Sequence, residues 1–107
     1  ARDRRLSGKT AFITGAARGI GFEFAKAYVR EGARVAIADI NIERAQSAAA
    51  EIGDAAIAVE IDVSNQESID RAVAFAAEAL GGIDILINNA ALFSLRLPAL
   101  IMTAPFK

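Results

Sequence analysis

Three glycines near the amino terminus have the spacing of a phosphate-binding turn. Gly15, Gly19 and Gly21 form a G-x-x-x-G-x-G pattern between an apolar run and a helix-like segment. We predict that Gly15 opens a tight turn, that Gly19 removes a Cβ where a pyrophosphate approaches, and that Gly21 lets the helix pack closely. The N–H groups at the start of that helix would then face the phosphates. The pattern indicates nucleotide binding, and a glycine-rich corner that binds nothing is the alternative.

An acidic residue follows at the end of the second apolar run. Asp39 lies 18 residues after Gly21, close to the usual separation between such a turn and its acid. A carboxylate at this place can accept both ribose hydroxyls of an adenosine and repels the 2′-phosphate of NADP, which favours NAD. Arg18 could pair with that phosphate, although its long side chain can turn to solvent. The alternative interpretation of Asp39 is a helix-capping acid.

The apolar pattern around these residues predicts alternating strands and helices. Four short apolar runs are typical of strands buried on both faces, at residues 10–14, 34–38, 56–61 and 83–87. Between them lie three segments with apolar residues at helical spacing. Their stripes are Ile20, Phe24, Ala27 and Tyr28, then Ile42, Ala45, Ala49 and Ile52, then Ile69, Ala72, Val73, Ala76 and Leu80. The order predicts an α/β fold, a parallel sheet with helices on both faces.

Helix ends are marked by residues that satisfy free backbone groups. Asn41 is placed to cap the second helix, and Ser64 with Glu67 forms an S-x-x-E capping box before the third. Gly32 and Gly53 are placed to end the first and second helices.

Four features, taken in order, resemble the short-chain dehydrogenase/reductase family. The resemblance covers residues 6 to about 95 and rests on the glycine turn at 14–21, Asp39, Asp62-Val63 and Asn88-Asn89-Ala90-Ala91. It implies an incomplete Rossmann-type doubly wound parallel sheet of four strands in the order 3-2-1-4, with three helices. Residues 19–41 and 88–93 resemble the bacterial polyol dehydrogenases of this family. That implies the NAD-dependent oxidation of a sugar alcohol, such as sorbitol, to a ketose.

The resemblance also implies roles for individual residues. The backbone of Ile20 would lie near the pyrophosphate, Asp62 would accept a hydrogen bond from the adenine amino group, and Val63 would lie beside the adenine ring. Asn88, Asn89 and Ala90 would border the nicotinamide ribose and steady the central strands. The cofactor-binding set implied in this way is Gly15, Arg18, Gly19, Ile20, Gly21, Asp39, Ile40, Asp62, Val63, Asn88, Asn89 and Ala90.

The sequence departs from the family pattern at two places. Ala91 stands where most members have a glycine. The family reaction also needs a serine and a tyrosine with a lysine four residues later, whereas the single tyrosine is Tyr28, with Gly32 four residues on. We therefore assign no catalytic residue and expect the 107 residues to be inactive alone.

Residues 1–95 are interpreted as the amino-terminal half of a Rossmann NAD-binding domain, and residues 96–107 as an atypical tail. The sequence after Ser94 has neither helical nor strand periodicity. Two hypotheses account for this change, a fragment of a longer enzyme or an out-of-frame tail.

Composition excludes several other kinds of function. The chain has no Cys and no His, which excludes a thiolate nucleophile and the commonest metal ligands, and we predict no metal site. The net charge of −1 gives no attraction to nucleic acid, and no apolar run is long enough to span a bilayer. We expect a cytoplasmic protein whose partners, in the full-length enzyme, are NAD, a small polyol and further copies of itself.

Two other functions stay open at this point. One is a non-catalytic nucleotide-binding module. The other is a methyltransferase-like Rossmann domain, because an acid at the end of strand 2 also suits adenosyl cofactors. Asn88, Asn89 and Ala90 disfavour the second.

Overall fold

A computed structural model describes residues 5–89 and contains one parallel sheet with three connecting helices. The strands are β1 (Thr10–Thr14), β2 (Arg34–Asp39), β3 (Ala56–Glu60) and β4 (Ile85–Asn88). The helices are α1 (Gly19–Arg30), α2 (Ile42–Ile52) and α3 (Gln66–Leu80). The strand order is β3-β2-β1-β4. The predicted α/β fold, its parallel sheet and its order 3-2-1-4 are confirmed.

The register brings the carboxyl ends of the strands to one edge of the sheet. Thr14 lies opposite Ala38 of β2 and Asn88 of β4, and Asp39 lies opposite Glu60 of β3. Loops that follow these residues therefore share one side of the molecule, which is where open α/β sheets bind ligands.

The sheet buries side chains on both of its faces. Ile13 and Ile37 are fully buried on the face that α1 and α2 cover, and Phe12 is fully buried beneath α3. Burying side chains of this size stabilises the fold by about 1.5–3 kcal/mol each. The apolar stripe predicted for α3 is confirmed in full, because Ile69, Ala72, Val73, Ala76 and Leu80 are its buried residues.

The predicted buried face of α1 was wrong for Ile20 and Phe24, while Ala27 and Tyr28 are half-buried. Ile20 and Phe24 are 68% and 41% exposed, and the residues that α1 buries are Gly21 and Ala25. Both sets have helical spacing, and at Gly21 α1 lies so close to the glycine turn that a Cβ would overlap the Gly15 carbonyl oxygen. Tyr28 is half-buried and packs against the core beneath α1.

The capping residues were predicted correctly for α2 and wrongly for α3. Asn41 accepts a hydrogen bond of 3.0 Å from the Arg44 N–H, as expected of an N-cap. The cap of α3 is Asn65, whose Oδ1 accepts from the Ser68 N–H at 3.0 Å, and not Ser64. The Ser64 hydroxyl bonds to Asp62 instead and is unavailable for a capping box.

At the opposite edge of the sheet, β1 is fastened to the segment that leads into β4. Asp84 Oδ2 accepts a hydrogen bond of 2.9 Å from the Thr10 N–H, and the Thr10 hydroxyl donates to the Gly82 carbonyl at 2.7 Å. These contacts fix β1 and the start of β4 to each other at the edge away from the glycine turn. None of the helices in residues 5–89 has the length and apolar character needed to cross a membrane.

Candidate functional site

A cleft of about 510 Å³ opens at the carboxyl edge of the sheet. Most of the predicted cofactor-binding residues line it, namely Gly15, Arg18, Gly19, Asp39, Ile40, Asp62, Val63 and Asn89. They come from the ends of four strands that are far apart in sequence. Ile20, Gly21 and Asn88 lie next to the cleft without lining it, and Ala90 lies outside the described residues.

Gly15 and Gly19 shape the turn that forms one wall of the cleft. Both have φ of +65°, in the left-handed region, where other residues pay about 1–2 kcal/mol. The Gly15 N–H donates to the Ala38 carbonyl at 2.7 Å, which ties the turn to β2. A Cβ on Gly19 would meet nothing within 4 Å, so its backbone is open to an approaching group.

Gly21 is required for a different reason, the close approach of α1 to the turn. A Cβ at this position would overlap the Gly15 carbonyl oxygen and would lie 2.6 Å from Asn89 Nδ2. Gly21 is buried, and its φ lies outside the left-handed region. The close packing predicted for Gly21 is therefore present.

The amino end of α1 carries no side-chain cap. Its N-cap residue, Arg18, has extended backbone with φ −162° and ψ 169° and makes no capping hydrogen bond, and the first turn contains no acidic residue. In contrast, α2 and α3 are capped by Asn41 and Asn65. The first N–H groups of α1 and the positive end of its dipole thus remain available to an anion in the cleft.

Asp39 is the last residue of β2 and is only 9% exposed. Its Oδ1 accepts a hydrogen bond of 3.1 Å from the Asn41 N–H, and its carbonyl accepts from the Ile61 N–H at 3.0 Å. Because α2 is capped by Asn41, the interpretation of Asp39 as the helix cap was wrong. The carboxylate is held at the rim of the cleft by the turn that precedes α2.

Asp62 follows β3 and is fixed by four hydrogen bonds. Its Oδ1 accepts from the Ser64 hydroxyl at 2.6 Å and from the Ser64 N–H at 3.0 Å. Its own N–H donates to Ser68 Oγ at 2.9 Å, and its carbonyl accepts from the Asn65 N–H at 3.0 Å. The bonds from the Ser64 hydroxyl and then from its N–H lower the pKa of Asp62, with a smaller opposing effect of burial. The side chain is therefore an anionic acceptor at neutral pH.

The two asparagines after β4 have different contacts. The Thr14 hydroxyl donates to Asn88 Oδ1 at 3.1 Å, which joins β1 to β4. Asn89 Nδ2 donates to the Gly15 carbonyl at 3.2 Å and lines the cleft. Asn88 thus links β1 to β4, while Asn89 holds the glycine turn in place.

Sequence reasoning missed two residues of the cleft, Arg44 and Ile61. Arg44 lies in the first turn of α2, three residues after its cap, and the cap itself was predicted. Because that turn follows directly after β2, its residues must lie near the end of β2. The predicted cap could therefore have identified Arg44. Arg44 and Arg18 add two positive charges to a cleft whose acids are Asp39 and Asp62.

Comparison with known proteins agrees with this arrangement. The chain is 68% identical over 91 residues to a sorbitol dehydrogenase of Cereibacter sphaeroides, covering 85% of this chain and 36% of that protein. It is 57% identical over 91 residues to a galactitol 2-dehydrogenase of Agrobacterium fabrum (strain C58 / ATCC 33970), with the same shares covered. The chain therefore spans about a third of the length of these curated relatives.

A solved structure has the same fold over the described region. The 3-ketoacyl-(acyl-carrier-protein) reductase of Brucella melitensis, complexed with NADH, matches with a TM-score of 0.74 and 46% identity. The match covers 76% of this chain and 33% of that one. The family model for short chain dehydrogenases matches residues 9–104. From the sheet order, the glycine turn and these matches, we conclude that the chain belongs to the short chain dehydrogenase family.

Proposed function

We propose that this chain is the dinucleotide-binding part of an oxidoreductase and that its cleft binds a nicotinamide cofactor. The observation that carries the proposal is the meeting of the glycine turn, the uncapped start of α1 and two fixed carboxylates in one cleft. The N–H groups of α1 would bind the pyrophosphate. Asp39 would accept the hydroxyls of the adenosine ribose, and Asp62 the adenine amino group.

We propose NAD rather than NADP as the cofactor. The Asp39 carboxylate is held by the Asn41 N–H, so it stays close to the place of the ribose. A fixed negative charge there repels a 2′-phosphate. Arg18 and Arg44 are exposed, and their long side chains can extend into water without relieving that repulsion.

The proposed reaction is oxidation of a polyol to a ketose. It is supported by the two relatives above, a sorbitol dehydrogenase and a galactitol 2-dehydrogenase, since sorbitol and galactitol are both sugar alcohols. The cofactor takes the hydride when bound, and residues of this chain hold and orient it. Tyr28 lies on α1, packs against the core and does not line the cleft, so it is no candidate for moving the hydroxyl proton.

Fluorescence titration with NADH, NADPH and S-adenosylmethionine tests the proposal. We expect NADH to bind at least about tenfold more tightly than NADPH, because the difference is a repulsion between like charges at close range. We expect no binding of S-adenosylmethionine, which a methyltransferase-like domain would bind. Failure of NADH to bind the folded chain would contradict the proposal.

A matched pair of variants shows whether any binding uses the glycine turn. Gly19→Ala and Gly81→Ala each place a Cβ on a left-handed residue with open space around it, at φ +65° and +81°. The backbone strain is therefore similar, but Gly81 ends α3 and is remote from the cleft. We expect only Gly19→Ala to weaken NADH binding. A polyol oxidation assay of the whole enzyme then distinguishes a dehydrogenase from a non-catalytic nucleotide-binding module.

A further inference from the structure

The two acids of the cleft are held by turns of the same kind. In each, the carboxylate Oδ1 accepts the N–H of the second residue after it, Asn41 after Asp39 and Ser64 after Asp62. Only Asp62 receives a second bond to the same oxygen, from the Ser64 hydroxyl at 2.6 Å. Oδ1 of Asp62 therefore accepts two hydrogen bonds, both from Ser64.

We propose that Ser64 is a positioning residue that orients Asp62 for recognition of the adenine amino group. A carboxylate with one oxygen held by two donors loses its freedom to rotate, so its other oxygen keeps one direction. Neither Ser64 bond uses Oδ2. This oxygen is a strong acceptor for an amino N–H, and a fixed acceptor binds better than one that must first be ordered. The inference rests on the proposed dinucleotide function of the cleft.

The surroundings of Ser64 show that it orients the Asp62 carboxylate without supporting the fold. Ser64 is exposed, and it does not cap α3, because Asn65 does. The backbone of Asp62 is anchored independently by Ser68 Oγ at 2.9 Å and by the Asn65 N–H at 3.0 Å. Loss of the Ser64 hydroxyl therefore leaves the core, the cap and the turn in place, and the Asp62 carboxylate keeps one of its two bonds to Ser64, the one from the N–H.

The test compares NADH with reduced nicotinamide hypoxanthine dinucleotide, in which a carbonyl oxygen replaces the adenine amino group. The wild-type chain is expected to prefer NADH, because Asp62 can accept from the amino group and repels the carbonyl. Ser64→Ala is expected to reduce this preference about fivefold, the loss of one ordinary hydrogen bond. Ser64→Thr keeps the hydroxyl and should retain the preference. Ser64→Val has nearly the same shape as Ser64→Thr and should lose it.

Two controls complete the design. Ser47→Ala removes a hydroxyl from an exposed residue of α2 outside the cleft and should leave the preference unchanged. Asp62→Ala should abolish the preference, and adding Ser64→Ala to it should have no further effect. Circular dichroism confirms that each variant is folded before binding is measured.

The outcomes distinguish the two proposals. If Asp62→Ala abolishes the preference while Ser64→Ala and Ser64→Val both retain it, Ser64 has no positioning role. If the folded wild-type chain binds both dinucleotides equally, Asp62 does not recognise the amino group and the inference is overturned, although dinucleotide binding stands. If it binds neither, the proposed function itself fails.

Discussion

The side-chain amide of Asn89 donates a hydrogen bond of 3.2 Å to the carbonyl oxygen of Gly15, a residue 74 positions earlier in the sequence. The same amide nitrogen lies 2.6 Å from where a Cβ on Gly21 would be. The end of β4 thus fixes the glycine turn against the first turn of α1. The wall of the cleft that the glycine turn forms depends on a residue from the far end of the described chain.

Replacing Asn89 with Asp tests this hydrogen bond to the Gly15 carbonyl. Asp keeps the size of the side chain but removes the N–H donor and places a carboxylate against the Gly15 carbonyl. We expect weaker NADH binding and a loss of about 0.5–1.5 kcal/mol in the free energy of unfolding, the contribution of one ordinary hydrogen bond. Urea denaturation and an NADH titration measure the two effects. Wild-type values for both would show that the Asn89 contact is dispensable.

Gly21→Ala should affect stability more than Gly19→Ala does. The added methyl group at Gly21 overlaps the Gly15 carbonyl oxygen, whereas at Gly19 it enters open space. We expect a loss of about 3 kcal/mol at Gly21, the upper end for overpacking, because the added Cβ overlaps a backbone oxygen that must move. At Gly19 the left-handed backbone alone should cost about 1–2 kcal/mol. Thermal unfolding of both variants gives the order, and greater damage from Gly19→Ala would contradict the packing role of Gly21.

Asp39→Asn should change the choice of cofactor. The amide keeps the shape of the side chain and its acceptor for the Asn41 N–H, but it removes the negative charge at the proposed position of the ribose. We expect NADPH binding to strengthen relative to NADH by about tenfold or more, with Arg18 and Arg44 now unopposed at that rim. Titration of both cofactors against wild type and Asp39→Asn checks this. An unchanged ratio would place the determinant elsewhere.

The pKa of Asp62 should respond to Ser64. Because the folded-state pKa lies below the ordinary value of 3.8, folding favours the ionised carboxylate. The stability that this contributes is complete above pH 3.8 and is lost as the pH falls through the lower folded value. In Ser64→Ala the hydroxyl bond is absent and the N–H bond remains, so the pKa should rise part of the way toward 3.8. NMR titration of the Asp62 carboxyl carbon measures this pKa, with Ser47→Ala as the control. The same Asp62 pKa in Ser64→Ala and wild type would show that the Ser64 hydroxyl does not lower it.

The N-cap of α3 can be checked by a pair of neighbouring substitutions. Asn65→Ala removes the acceptor for the Ser68 N–H and should cost about 0.5–2 kcal/mol of stability. Ser64→Ala removes no cap and should cost less. Denaturant unfolding of the two variants distinguishes them, and the reverse order would restore the capping box predicted from the sequence.

The sheet and most of the cleft could be predicted from the sequence, because their signals are local. Buried strands are continuous apolar runs, and the acids and asparagines that end them meet at one edge in any parallel sheet of this order. The face of α1 could not be predicted, since Gly21 is buried where the turn at Gly15 lies against it, and Ala25, one turn further along, is buried in the core. The cap of α3 was misplaced because Ser64 and Asn65 both suit that position, and the choice depends on the contact of Ser64 with Asp62.

Binding of a nicotinamide dinucleotide at the carboxyl edge of the sheet is tested most directly by backbone amide NMR of the chain during an NAD titration. We expect the amides of Gly15, Gly19, Asp39 and Asp62 to shift in proportion to bound NAD. The amide signals of Thr10 and Asp84, at the opposite edge, should not shift. Shifts confined to the opposite edge, or none in the folded chain at saturating NAD, would contradict the account.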